Sequence, residues 1–244
     1  MPSVQIMDDL LRAIAAFEVE EFDLPVEPDA LTAARRSLAD SGLLLLGEVH
    51  GVRENPLVIL TLMRLLGLDN LALEWPEELT GFLRDGTPAD HPFWWLGDGR
   101  ITAGHFAVLG ELGPLPVMLF DSMRYFTGDW SARDAGMAAK VLETTAPTLV
   151  VAGNAHTELA RTVNGLPMGA CLTKARPGVR DIRLRYGRGG YYNGESRSFD
   201  GATGPAGLHL DSDALVFNLP EVKEATVPHL PPARLREELA RIGL

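Results

Sequence analysis

Two short segments of this sequence carry the residue types that acid–base chemistry requires. Gly47-Glu48-Val49-His50 sets a carboxylate and an imidazole two residues apart, and Gly153-Asn154-Ala155-His156 supplies a second imidazole. In extended backbone, side chains two residues apart project to the same side, so Glu48 and His50 can meet. A carboxylate beside an imidazole raises its pKa and orients one tautomer, which is what a general base needs. Glu74 and Asp121 each follow a further short apolar run. Glu74 is then suited to orient His50, to hold a metal or to bind substrate, and His156 to act as a second acid/base group. A lone histidine at such a position is commonly a cap or a packed core residue. Two histidines and three carboxylates arriving together point instead to a site. Arg53 and Arg133 are candidates to pair with a catalytic carboxylate or to clamp an anionic group, against the alternative of surface ion pairs. His105 is set aside.

These residues need elements that bring them together. Leu43–Leu46 is a continuous apolar run between two glycines, the signature of a parallel strand covered on both faces. Similar runs predict strands over Asn70–Leu73, Pro116–Phe120 and Thr148–Ala152, ending at Glu74, Asp121 and Gly153. Further strands are expected at Met168–Thr173, Asp181–Tyr186 and Ala214–Asn218. Helical spacing predicts helices over Asp8–Phe17, Asp29–Ser41 with Asp29 as cap and Gly42 as stop, and Asn55–Leu66 with Asn55 as cap. Others are expected over Ser131–Thr144, capped by Ser131, at about Thr157–Val163, and over Pro231–Leu244. Strands alternating with helices imply βαβ units: a single α/β domain with a mostly parallel sheet flanked by helices, its core about residues 43–220. In such sheets ligands bind beyond the carboxyl ends of the strands, where Glu48, His50, Glu74, Asp121 and His156 fall. Gly86–Gly104, with Phe93-Trp94-Trp95, and Gly187–Gly207, with Tyr191-Tyr192, read as irregular segments. They are either binding loops, with Trp94 and Tyr191 touching substrate, or plain surface excursions.

Bulk properties exclude several classes. The 244 residues include 46% hydrophobic ones, enough for a sizeable core. Asp and Glu number 33 against 22 Lys and Arg, a net charge of −11, which argues against nucleic acid and anionic membranes as partners. The single cysteine, Cys171, precludes an internal disulfide and reads as a buried structural residue. Met1–Phe17 lacks a basic start and a long apolar stretch, and no apolar run approaches the ~20 residues of a membrane span, so a cytoplasmic location is expected. There is no Gly-x-Ser-x-Gly elbow, P-loop, His-Glu-x-x-His, cysteine pair, or Gly-x-Gly-x-x-Gly after the first strand.

Four segments taken in order resemble the erythromycin esterase/ChaN-like superfamily, which also includes Tiki and TraB-type proteins. They are Leu46-Gly47-Glu48-Val49-His50-Gly51, Leu71-Ala72-Leu73-Glu74, Ala132-Arg133-Asp134-Ala135-Gly136-Met137-Ala138 and Ala152-Gly153-Asn154-Ala155-His156. The resemblance spans roughly Leu43 to Thr157. It implies a mostly parallel α/β fold and a catalytic set of Glu48, His50, Glu74 and His156, with Arg133 and Asp134 buttressing from a helix. In the esterase branch a histidine of the first segment activates water against a macrolactone, a role that falls to His50 here. The esterases have one more residue between glutamate and histidine and a longer chain, so the spacing here is nearer the ChaN-like branch, named for a haem-binding lipoprotein.

The expectation is therefore an enzyme acting on a small molecule or peptide. His50 serves as base and His156 as acid in ester or amide hydrolysis, or in elimination or cyclisation during natural-product tailoring. No cofactor is required in that reading. Two other readings stand beside it. One is a haem binder with Phe93, Trp94, Trp95, Tyr191 and Tyr192 as a flat pocket and Tyr125, Tyr191 or Tyr192 as ligand. The other is a divalent-metal hydrolase ligated by Glu48, His50, Glu74 and His156.

Overall fold

The computed structural model describes residues 4–125 and 128–244. Met1–Ser3, the start of the Met1–Phe17 stretch, lie outside the described residues. The chain forms α1 (Val4–Ala15), α2 (Pro28–Ser41), β1 (Leu43–Glu48), α3 (Asn55–Leu66), β2 (Leu71–Pro76), α4 (Ala103–Leu112), β3 (Val117–Asp121), α5 (Trp130–Val141), β4 (Thr148–Gly153), α6 (Asn154–Thr157), α7 (Met168–Ala175), β5 (Arg180–Tyr192), β6 (Ser196–Asp200), β7 (Gly207–Asp211), β8 (Ala214–Val222) and α8 (Pro232–Arg241). Short 3-10 turns at Glu77–Leu79, Pro92–Trp95 and Met123–Tyr125 interrupt the connections.

One sheet runs in the order β3-β2-β4-β1-β5-β8-β7, with β6 hairpinned onto β5. β1 to β5 and β8 are mutually parallel where they pair; only β6 and β7 run antiparallel to their neighbours. This is the single α/β domain with a mostly parallel sheet that the apolar runs imply. Side-chain alternation sorts its core: Leu44 and Leu46 face α2, α3 and α4, whereas Leu43 and Leu45 face α5 and α7. After β1 the chain moves to one side of it, and after β4 it crosses to the other. The topological switch therefore lies between β1 and β4, at their carboxyl ends.

Several boundaries differ from expectation for identifiable reasons. Met168–Thr173 is not a strand but most of α7; Met168, Gly169 and Leu172 form its buried stripe, a helical spacing too short to tell from a strand run. Cys171 is accordingly only partly buried on that helix. The helix expected over Thr157–Val163 is the single turn α6, and Val163 is fully exposed. The Gly187–Gly207 segment is no loop: β5 runs on through its glycines to Tyr192 and turns back as β6. Within Gly86–Gly104, Phe93, Trp94 and Trp95 are completely buried, and α4 begins there. Gly42 does stop α2, in the left-handed region. The caps shift by one or two residues, however. Glu27 occupies the α2 cap position and Glu54 that of α3, and Asp129 rather than Ser131 caps α5, accepting from the Ala132 N–H at 3.1 Å. No helix of the described residues is long and apolar enough to cross a membrane.

Candidate active site

Strand register assembles the site. Glu48 ends β1 opposite Gly153 of β4, and Leu73 of β2 lies opposite Val151, so Glu74 emerges beside the β4 terminus. Asp121 ends β3 opposite Pro76. His50 follows β1 in a loop held by close backbone approach: Gly51 N–H donates to the Gly99 carbonyl at 2.9 Å, and Gly51 O accepts from Tyr192 and Ala225 N–H groups. Gly51 has φ +74°, and a Cβ there would overlap the Tyr192 carbonyl, so glycine is required.

The centre is a dyad. His50 Nδ1 lies 3.0 Å from Glu48 Oε1, whereas Nε2 makes no hydrogen bond to any described residue and stands 3.8 Å from Glu74 Oε2. Glu48 and Glu74 are 3% exposed and His50 15%, so His50 is the member of the set that meets solvent. Burial pushes the Glu48 carboxyl above its ordinary range, against the hydrogen bond from His50. Burial pulls the His50 pKa down, but the Glu48 hydrogen bond and the nearby Glu74 and Glu48 charges outweigh it, and the net shift is upward. In the neutral ring that donates from Nδ1 to Glu48, the lone pair lies on Nε2.

Glu74 is fixed by many donors. Gly153 N–H donates to Oε2 at 2.8 Å; Arg133 Nη2 donates to Oε1 at 2.8 Å, with Arg100 Nη1 at 3.4 Å. Burial alone raises a carboxyl, but the attraction of His156, Arg100, His50 and Arg133 overrides it and holds Glu74 far below the usual carboxylate range. Asp121, fully buried, bridges the two arginines: it accepts from Arg100 Nη1 at 2.7 Å and from Arg133 Nη2 at 2.8 Å. Asp98 holds Arg100 Nε at 2.6 Å. Behind the dyad, a cavity of about 10 Å³, room for one water-sized group, is bordered by Glu48, His50, Glu74, Arg100 and His105. His105 is buried and pushed down to about 3 by burial and by His50, so it stays neutral.

His156, expected as a second acid/base group, is held at both ring nitrogens. Its Nδ1 lies 2.7 Å from Asp134 Oδ1, which also accepts from Met168 N–H, and its Nε2 lies 3.1 Å from Arg133 Nη1. Arginine cannot accept, so Nε2 receives that bond and Nδ1 donates to Asp134. Both ring nitrogens are occupied, and Trp130 stacks on the ring at 4.5 Å. His156 thus orients Arg133, as Asp134 orients His156.

Glu48, His50, Glu74, Asp121 and His156 are brought together as their strand-end positions imply, and Arg133 joins them from α5. Arg53, Trp94 and Tyr191 do not. Arg53 packs over the Phe17 ring at 4.9 Å. Trp94 is sealed in the core, edge-on to Trp75 and Phe106, because its connection folds inward rather than over the site. Tyr191 stacks on Phe199 at 4.3 Å within the hairpin. Arg100 escapes the sequence reading and His105 is set aside by it, since nothing local in Gly99-Arg100-Ile101 or Gly104-His105-Phe106 signals a place beside distant carboxylates.

The residues do not fit a divalent metal or haem. The carboxylate nearest both histidines is already neutralised by two guanidinium groups, which repel a cation. Among the described residues no group of three His, Cys, Asp or Glu side chains is arranged to hold a metal ion. The aromatic slot imagined for haem does not form, because Phe93, Trp94 and Trp95 are core residues, and the Tyr125 ring lies against Gly136.

No family model matches this sequence, and no curated protein is significantly similar to it. A solved crystal structure of a protein from Bacillus cereus shares the fold, with a TM-score of 0.54 and 10% identity over 91% of this chain and 98% of that one. At that identity the likeness establishes the α/β architecture and nothing more.

Proposed function

We propose that this protein is a hydrolase of an ester or amide in a small molecule or peptide, with His50 as its base. The observation that carries the reading is the asymmetry of His50, a ring 15% exposed: Nδ1 is anchored on buried Glu48, and Nε2 has no hydrogen-bond partner among the described residues. Nε2 takes a proton from water as the water oxygen attacks the acyl carbon, and the carbonyl π pair moves to oxygen. The intermediate collapses, the C–O or C–N bond breaks, and the leaving group takes the proton back from Nε2. Glu74, kept ionised by its arginines, stabilises the imidazolium from 3.8 Å. His156 need not transfer a proton, because His50 serves in both directions. The motif resemblance to the erythromycin esterase/ChaN-like group supports an ester as the first class to test. The same base acting on a carbon or heteroatom proton would give elimination or cyclisation.

The test is hydrolysis of a panel of aryl esters, lactones and anilides by wild type, His50→Gln and Glu48→Gln, with fold checked by circular dichroism. Loss of ~10²–10⁴-fold in kcat for His50→Gln is expected. Full activity in a folded His50→Gln variant removes the assignment.

A further inference from the structure

The dyad peptide itself is clamped. Val49 lies between Glu48 and His50, and both of its backbone polar groups are bonded to side chains rather than to the sheet. Val49 N–H donates to Tyr186 Oη at 2.9 Å; Tyr186 Oη–H donates to Asn55 Oδ1 at 3.0 Å; Asn55 Nδ2 donates to the Val49 carbonyl at 2.8 Å. Three bonds close a ring around one residue. Tyr186 comes from β5 and Asn55 from the first turn of α3, so two rigid elements fix the loop. The tyrosine ring is held in turn: it stacks on Phe199 at 4.8 Å, and Phe199 on Tyr191 at 4.3 Å. Asn55 is 1% exposed, and its place inside α3 leaves its side chain no capping duty there.

We infer that Tyr186 and Asn55 are positioning residues that set the Glu48–His50 hydrogen bond by fixing the Val49 peptide between them. Rotation of the Val49 peptide planes would swing Glu48 and His50 in opposite senses and lengthen the 3.0 Å contact that directs the Nε2 lone pair. Burial keeps the Tyr186 hydroxyl protonated far above the physiological range, so it both accepts from Val49 and donates to Asn55 at every working pH. The inference deepens the proposed base, but its readout does not depend on turnover.

The experiment is the titration of His50 by ¹H–¹⁵N and ¹H–¹³C imidazole NMR in wild type, Tyr186→Phe and Asn55→Ser. The other groups facing His50 are Glu74, Arg100 and neutral His105, and neither variant alters them; Asn55 also faces Glu48, so Tyr186→Phe is the cleaner probe of the peptide clamp. Tyr186→Phe keeps the ring stack and deletes only the hydroxyl. The expected result is a fall in the His50 pKa of about half a unit or more in each variant. On an active ester, kcat falls roughly tenfold while KM stays within about twofold. An unchanged His50 pKa in folded Tyr186→Phe overturns the inference, even if thermal stability drops. Should Tyr186→Phe not fold, Asn55→Ser decides by the same criterion. The NMR result stands whether or not His50 proves to be the base.

Discussion

Replacing Gly153 by alanine isolates the claim that chemistry happens at His50 Nε2. Gly153 has φ −56° and ψ 142°, a conformation any residue adopts, so the change brings no backbone strain. An ideal Cβ at this position sits 3.3 Å from His50 Nε2 and 3.5 Å from Glu74 Oε2. A water oxygen delivering its proton to Nε2 must come within about 3 Å of it. The methyl group occupies that approach and demands only a few tenths of an ångström of adjustment from its neighbours. Gly153 N–H keeps its bond to Glu74, so the buried charges stay paired. Gly→Ala at a compatible position adds about 0.4–1 kcal/mol through the unfolded chain, which the tight contact offsets. For a chain of this size that keeps Tm within about 4 °C of wild type. Ester hydrolysis, by contrast, should fall ~10²-fold or more in kcat/KM. Initial rates and thermal melts on the same preparation read both quantities. A folded Gly153→Ala enzyme working within about threefold of wild type refutes the placement of the reacting water.

Other consequences follow from the same geometry. Arg133→Ala strips donors from buried Glu74 and Asp121, and should cost about 3–5 kcal/mol, a fall in Tm of roughly 6–20 °C by calorimetry. His156→Asn should lower activity by loosening Arg133 while leaving the pH–rate profile unchanged; disappearance of an alkaline limb would instead make His156 the acid. His50 has a folded pKa above its ordinary 6.5, so its linkage contribution to stability is full below that pH and is lost as pH rises through the folded value. The Tm advantage of wild type over His50→Gln should accordingly shrink from pH 6 to pH 8 in thermal melts, and a growing gap contradicts the upward shift.

The fold was legible where patterns were long or bounded by glycine. Leu43–Leu46 and Asn55–Leu66 are such cases; the latter matches α3 at both ends. The short run at Met168–Thr173 was not, since two helical turns with one buried stripe and a buried strand look alike at that length. The β5–β6 hairpin was hidden by its glycines, which here allow close backbone approach rather than a loop: a Cβ on Gly189 would strike the Val222 carbonyl. In the site, strand-end residues could be read because parallel strands deliver their carboxyl ends to one place. Arg100, His105, Tyr186 and Asn55 could not, because their roles exist only through partners up to 131 positions away in the chain. Trp94 and Tyr191 show the converse error, in which aromatic residues in an apparently irregular segment serve the core and a ring stack.

The most direct test of the account is kcat/KM against pH for hydrolysis of an activated ester by wild type and Glu48→Gln. Base catalysis by His50 requires its neutral form, so the rate should rise with pH through one ionisation above 6.5, and Glu48→Gln should move that midpoint down while lowering the plateau. A profile flat between pH 5 and pH 9, or a midpoint that Glu48→Gln leaves in place, would contradict the Glu48–His50 dyad.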